Sequence, residues 1–356
     1  PSQVGSLLFE ELGQGQHFVW GKPKRTKTGG YSTDASVLES LMGSPGHHPV
    51  IDLISEHRQL NKLKSTYTDA LPTMVHPSTG RVHTKYHQAG SVTGRLSSND
   101  PNLQNIPIRT DIGRQIRTAF IPSQLNWSFL GADYSQIELR VLAHLSQDEG
   151  LLRAFQNDLD IHSATAAEIF GVNLASVSTD QRRLAKTLNF GIIYGLSPYG
   201  ISQQTELTVE EGQRFIESYF NRYPGIRQYI EKIKLYARET GYVETVMGRR
   251  RYTPEIESSN GNLRQAAERE AVNTPIQGTA AEIMKVAQIA VFGELIRVGL
   301  KSKMLLQVHD ELIFESPSDE IETLKSIVLQ TMSQAVEISV PLKVMVKIGE
   351  NWGELE

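Results

Sequence analysis

No cysteine occurs anywhere in the 356 residues. Disulfides and thiolate catalysis are therefore excluded, and the composition suits a reducing compartment. Long apolar runs are missing too. Met304–Leu306 and Val286–Phe292, the latter broken by Gln288, are among the longest, far short of the about 18–20 apolar residues that span a bilayer. The N-terminal Pro-Ser-Gln-Val-Gly-Ser lacks a basic start followed by an apolar stretch, so no secretory leader is expected there. No repeat recurs at a fixed period, and no tract is of low complexity. An excess of positive charge is also absent: 36 Lys and Arg stand against 40 Asp and Glu, a net charge of -4.

What is present is a globular balance, with 39% hydrophobic and 21% charged residues, in a chain long enough for two or three lobes at about 100–200 residues each. The charge is unevenly placed. Residues 1–117 hold 13 Lys and Arg against 9 Asp and Glu, a surplus of +4, and the remainder carries -8. A basic N-terminal stretch on an acidic body can bind a polyanion with one face.

Residues 1–20 include a short apolar-periodic segment (Val4, Leu7, Leu8, Leu12), followed by a turn-rich basic stretch from Gly21 to Gly30. Ser32-Thr33-Asp34 can cap a helix carrying Val37, Leu38 and Leu41. A further helix is expected from Val50 to about Tyr67, with Ile51, Ile54, Leu60 and Leu63 on one side. Pro72 to Pro122 is rich in Thr, Ser, Asn, Gly and Pro, which predicts functional loops and short strands. Trp127 to Ala132 reads as a buried strand leading into a helix from about Ser135. Residues 150–240 read as mostly helical. Residues 262–297 read as a helix pair interrupted or kinked at Pro275. Lys303 to Glu315 reads as a hairpin, Leu324 to Val336 as a helix and Leu342 to Ile348 as a last strand. Such an order, with a helical insertion between about residues 145 and 260, predicts an α+β fold.

Three clusters carry chemistry. Asp133 ends the apolar strand Phe129-Leu130-Gly131-Ala132, at the rim of a sheet where an aspartate is either a helix cap or a metal or phosphate ligand. His309-Asp310-Glu311 lies between the apolar arms Met304–Val308 and Leu312–Phe314, where hairpin tips prefer Asn-Gly or Asp-Gly. An exposed polar turn explains the polarity but not two adjacent acids. If the two strands are neighbours, Asp133 and Asp310 converge. Two anions that close repel unless protonated or neutralised by metal; oxygen-only ligands favour magnesium or manganese, and a pair of such ions is a recurring device for phosphoryl transfer. Thirdly, Arg182, Lys186, Phe190 and Tyr194 are spaced four apart, a cation, cation, aromatic, aromatic stripe on one helix. A nucleoside triphosphate lying along it would put its phosphates near the positive N-terminal end. A solvated cationic face with core aromatics is the plainer alternative for that stripe taken alone.

Together, Asp133-Tyr134-Ser135-Gln136-Ile137-Glu138-Leu139-Arg140, the Arg182–Gly195 segment and Gln307-Val308-His309-Asp310-Glu311 resemble the three polymerase motifs of family A DNA polymerases, the bacterial DNA polymerase I type. Thr93-Gly94-Arg95-Leu96-Ser97-Ser98, Asp100 to Pro107, Asn273 to Ala280 and Gly248-Arg249-Arg250-Arg251-Tyr252 match as well, so the resemblance runs from about residue 2 to Trp352. It implies a right-hand fold with an antiparallel palm sheet, helical fingers and a partial helical thumb. The thumb would be residues 1–72, the palm 73–144 and 261–356, and the fingers 145–260.

The resemblance implies that Asp133, Asp310 and the Tyr134 carbonyl hold two Mg2+ ions, with Mn2+ a possible substitute and Glu311 an accessory carboxylate. Arg182 and Lys186 would grip the triphosphate, Lys186 also protonating the leaving pyrophosphate. Phe190, Tyr194 and Gln136 would line the nucleotide pocket, and His162 is a candidate phosphate contact. Glu138 and Tyr194 would exclude a 2′-hydroxyl, and Phe190 in place of tyrosine implies discrimination against dideoxynucleotides. Arg95, Gln277 and His309 resemble residues that read minor-groove acceptors at the primer terminus, with Asn273, Arg269 and Gln104 as further template or primer contacts. Lys62, Lys64, Lys22, Lys24 and Lys27 would meet duplex phosphates. Implied partners are primer-template DNA and deoxynucleoside triphosphates, with no membrane, in a monomer of the bacterial cytoplasm or an organellar matrix. The helix pair that opens the family's thumb is missing from the chain, as are nuclease domains, so either fusion to further domains or an unusually short thumb is expected. The basic stretch Gln14–Lys27 is longer than the family pattern. A single-subunit RNA polymerase shares the metal aspartates, and Glu138 with Gly94-Arg95-Leu96-Ser97-Ser98 argues against it. A catalytically weak nucleic-acid-binding fragment is the remaining alternative.

Overall fold

A computed structural model of the chain describes residues 1–12, 23–44, 47–108, 110–205 and 207–355, in two compact units, Pro1–His83 and Thr84–Glu356. In the first unit, helix Ala35–Met42 is capped as its sequence predicts, the Val37 amide donating to Asp34 Oδ1 at 2.9 Å. Leu8, Phe9, Val37, Leu38, Leu41 and Ile51 form its core. Helix Val50–Leu63 passes into a wider turn, Lys64–Thr68. Leu60, expected on the buried side, is 41% exposed, because the helix buries Ile51 and Leu63 at its two ends instead. Lys24, Lys27 and Lys62 are exposed, and Lys64 ion-pairs with Asp69. Lys22 and most of the Gln14–Lys27 stretch lie outside the described residues.

The second unit is α+β. Strand β1 (Trp127–Tyr134) leads into helix α1 (Ile137–Ser146), and the helical stretch that follows contains α2 (Ile161–Phe170) and α3 (Thr179–Ile193). Helices Val209–Arg222 and Pro224–Thr240 and a hairpin, Tyr242–Glu244 with Arg250–Tyr252, complete the insertion. Helix α4 (Gly261–Val298) then returns the chain to strands β2 (Lys303–Val308) and β3 (Glu311–Pro317), helix α5 (Ile321–Ser333) and strand β4 (Val344–Gly349). The sheet order is β4-β1-β3-β2, with every pairing antiparallel.

Strand alternation divides the sheet's faces. Leu130 and Ala132 on β1 stand opposite Phe314 and Leu312 on β3. These four belong to one core with Ile276, Ala280, Ile283 and Met284 of α4 and Leu324, Val328 and Met332 of α5. Asp133 faces Glu311 across the same two strands on the opposite face.

Helix α4 is a single 38-residue helix with Pro275 inside it, where a helix pair interrupted or kinked at Pro275 was expected. An interior proline costs about 3 kcal/mol and one hydrogen bond. Here Pro275 is buried in the middle of an apolar flank, Ala271, Val272, Ile276, Ala280, Ile283, Met284, Ala287 and Val291. Burying side chains of this size at about 1.5–3 kcal/mol for each large one outweighs the break.

Candidate active site

The rim of the sheet is built by a main-chain contact. The amide of Tyr134, at the end of β1, donates to the carbonyl of Asp310 at 3.1 Å, and the preceding residue, Asp133, is the register partner of Glu311. Asp133 and Asp310 are thus brought to one edge by strands that are direct neighbours. Between β2 and β3 only His309 and Asp310 remain for the turn, and His309 takes φ 53°. A side chain in that left-handed region is uncommon outside sites where the surroundings enforce it. The surroundings do so here. Tyr86 Oη donates to the Gln307 carbonyl at 2.8 Å and accepts from the Gln307 amide at 3.0 Å, and Gln307 Nε2 donates to the His309 carbonyl at 3.2 Å.

Burial raises the Asp310 carboxyl above the usual range, with Arg95 opposing. With Asp133 brought to the same edge, the two aspartates supply hard oxygen donors. Tyr134 sends its hydroxyl into the core, donating to the Met332 carbonyl at 2.7 Å, which leaves its main-chain oxygen as the group it can offer at the rim. Among the described residues no three or more His, Asp or Glu side chains form a ready-made metal cage. Two carboxylates and a carbonyl fit an ion that keeps water and substrate oxygens for its remaining positions, as magnesium does.

Glu138, in the first turn of α1, is the hub beside this rim. Arg95 Nη2 and the Tyr194 hydroxyl both donate to its carboxylate. Burial pushes its carboxyl up, the Tyr194 hydrogen bond and the Arg95 charge pull it back, and Asp310 adds to the rise. Gln277 on α4 acts on the Tyr194 hydroxyl as well, opposing the rise that burial imposes on it. Arg95, Asp310, Glu138, Tyr194 and Gln277 therefore form one connected group. Arg269, Asn273 and Gln277 repeat every four residues on α4, and the Arg269 side chain lies against Gly195, just past α3.

Along α3, Arg182, Lys186, Phe190 and Tyr194 follow the predicted spacing. Lys186 is exposed, and the Phe190 ring lies 6.1 Å from that of Tyr194 and 5.8 Å from that of His162. The phosphate contact expected of His162 is not open to it in this conformation. The ring is 1% exposed, and Asn189 Nδ2 donates to its Nδ1 at 3.1 Å. Burial, with Arg182 and Lys186 nearby, lowers its pKa to about 4 against the pull of Asp160. Gln104, expected to touch DNA, is also buried and donates its amide to the Gln307 carbonyl at 3.2 Å, bracing the hairpin from behind. His309 remains exposed at the turn.

Asp160 was not singled out from sequence, and it organises the other end of α3. It accepts from Arg182 Nε at 2.5 Å, Ser163 Oγ at 2.8 Å, the His162 amide at 3.1 Å and Gln136 Nε2 at 3.4 Å. Burial alone would raise its carboxyl, but Arg182 and Ser163 outweigh it and hold the pKa down to about 2. Its signal was the cap pattern Asp160-Ile161-His162-Ser163 ahead of α2, which reads as helix punctuation.

The family model for DNA polymerase family A matches residues 1–354, and the chain belongs to that family. It is 51% identical over 356 residues to DNA polymerase I of Pseudomonas aeruginosa, covering 99% of this chain and 38% of that protein. It is 49% identical over 350 residues to the thermostable DNA polymerase I of Thermus aquaticus, covering 98% of this chain and 41% of that protein. Among solved structures it superposes on the POL domain of Pol1 from M. smegmatis, in complex with DNA primer-template and dNTP. The TM-score is 0.92 at 45% identity, over 100% of this chain and 61% of that one. The chain thus spans about two fifths of the length of these curated relatives, and its fold is that of the polymerase region.

Proposed function

We propose that the chain is a template-directed DNA polymerase that joins deoxynucleoside triphosphates to a primer 3′-hydroxyl and releases pyrophosphate. The observation that carries this reading is the Tyr134–Asp310 main-chain hydrogen bond at 3.1 Å, which sets two aspartates at one sheet edge beside Glu138 and Tyr194. Asp133, Asp310 and the Tyr134 carbonyl would hold two magnesium ions, or manganese. Bound there, the metals supply Lewis-acid stabilisation of the attacking oxygen and of the departing pyrophosphate.

The chain's own residues do the rest. Arg182 releases Asp160 to meet the triphosphate, and Lys186, exposed one turn on, neutralises it and donates a proton to the leaving group. Phe190 stacks beside the incoming base. Glu138, held by Arg95 and Tyr194, occupies the position a 2′-hydroxyl would need and disfavours ribonucleotides. Gln277, Arg95 and His309 read the minor-groove edge of the primer terminus, where acceptors recur in every correct pair. Asn273 and Arg269 continue that track along α4. Residues 145–260 serve as fingers around a palm formed by the sheet.

Asp310→Ala tests the reading: primer extension in magnesium is expected to disappear while affinity for primer-template DNA stays within about threefold, since one anion is removed and no phosphate contact is lost. Extension by the variant at the parental rate would overturn the assignment. Offering ribonucleotides in place of deoxynucleotides separates it from an RNA polymerase, which would extend equally well with them.

A further inference from the structure

A second arginine stands behind Arg95. Arg249, just ahead of strand Arg250–Tyr252, ion-pairs through Nε with Glu282 Oε1 of α4 at 3.2 Å. Glu282 is 8% exposed, and its other oxygen, Oε2, is buried without a hydrogen-bond partner. The Arg249 guanidinium occupies the place a side chain on Gly94 would take. A Cβ there would lie 2.8 Å from Nε, 3.0 Å from Cζ and 3.3 Å from Nη2. Gly94 has φ +77° and is followed directly by Arg95.

The loop bearing Arg249 is fastened to α4 at two points. The Val246 amide donates to Thr279 Oγ1 at 3.0 Å, and Thr245 packs on Gly278 so closely that a Cβ there would come within 2.5 Å of Thr245 Cγ2. The same Cβ would lie 3.4 Å from the Thr93 carbonyl. Thr245 and Arg249 close the loop on each other, the Thr245 amide donating to the Arg249 carbonyl and the Arg249 amide to Thr245 Oγ1, both at 3.0 Å. Thr93 and Gly94 thus rest on a rigid seat made by α4 and this loop.

Glycine moves freely between backbone regions, so a glycine immediately before Arg95 leaves that side chain's origin poorly fixed unless something fills the space beside it. Arg249 fills it, and Glu282 fixes the plane of the guanidinium. An ion pair with one buried end adds little net stability over apolar packing, and its best-attested use is to specify one arrangement. We infer that Arg249 and Glu282 are positioning residues for sugar selection. They hold the Thr93–Gly94 backbone so that Arg95 keeps the Glu138 carboxylate in line with the Tyr194 hydroxyl. The inference rests on Glu138 being the group that rejects a 2′-hydroxyl. The competing role is a simple phosphate contact, since the Arg249 side chain is 40% exposed.

The deciding measurement is the ratio of kcat/KM for a deoxynucleotide over its ribonucleotide, taken with primer-template affinity, for the parent, Arg249→Met, Glu282→Gln, Glu138→Ala and Arg249→Met in the Glu138→Ala background. Arg249→Met and Glu282→Gln are each expected to lower the ratio roughly tenfold, with a smaller change in kcat for the deoxynucleotide. In the Glu138→Ala background Arg249→Met is expected to lower it no further, because both act through one carboxylate. A parental ratio in Arg249→Met and Glu282→Gln, with weakened DNA binding alone, overturns the inference, and so does an effect that adds fully to that of Glu138→Ala. Glu282→Gln keeps the shape and carries the test should Arg249→Met not fold. A parental ratio in Glu138→Ala would instead refute the underlying reading of Glu138.

Discussion

A histidine buried in its neutral form makes the stability of the fold depend on pH. His162 has an ordinary value of 6.5 and a folded value of about 4, so between those pH values the unfolded chain binds a proton that the folded chain does not. Stability therefore rises with pH across that window, and acidification from 6.5 to 4 should remove up to about 3 kcal/mol. Denaturant unfolding at stepped pH checks this: His162→Gln should flatten most of the slope, and an unaltered slope would assign it to other groups. Glu138→Ala belongs to the same scale. It removes the side chain proposed to fill the position of a 2′-hydroxyl and is expected to raise ribonucleotide insertion by about tenfold or more; single-turnover insertion of each sugar type measures it. At this scale Asp133 and Asp310 were legible because acids at the ends of apolar strands are chemically out of place. Asp160 was not, since a cap aspartate looks the same whether or not an arginine 22 residues away adopts it.

Helix α3 carries the stripe proposed to meet the nucleotide, and its start is fixed by a reciprocal cap. The Gln181 amide donates to Ser178 Oγ at 3.2 Å, and the Ser178 amide donates to Gln181 Oε1 at 2.9 Å. Ser178→Ala should cost about 1 kcal/mol locally. The expected readout is faster hydrogen exchange at the first-turn amides of α3 and a higher KM for deoxynucleotides at little-changed kcat, because Arg182 sits in the next turn; parental exchange rates would show the cap to be dispensable. The far end of the helix is equally close-set, with Leu196 pressed against both Gly191 and Gly200. Most of this element was readable, as the four-residue spacing of Arg182, Lys186, Phe190 and Tyr194 points to one helix. That α4 continues through Pro275 as one helix could not be read locally, because propensity cannot register the apolar flank that spans the proline on both sides. Nor could any local signal show that β1 pairs with β3, since that adjacency is set by a core shared with α4 and α5.

Over the molecule as a whole, the DNA binding proposed above is expected to follow the charge surplus of residues 1–117 more than the net charge. Lys62 is exposed, whereas Lys64 is already paired with Asp69. Lys62→Ala is accordingly expected to reduce the slope of log affinity against log salt by about 1, and Lys64→Ala by less. Fluorescence anisotropy with primer-template DNA at several salt concentrations reads both, and equal slopes for parent and Lys62→Ala would place that lysine off the duplex. The sheet order adds a constraint of a different kind. Strand β1 is hydrogen-bonded along both edges, yet its partners, Glu311–Pro317 and Val344–Gly349, both lie beyond residue 310. During synthesis the strand bearing Asp133 emerges with two open edges and waits for the whole helical insertion before either is covered. A ribosome that stalls in that interval leaves an apolar strand able to pair with its counterpart on another nascent chain.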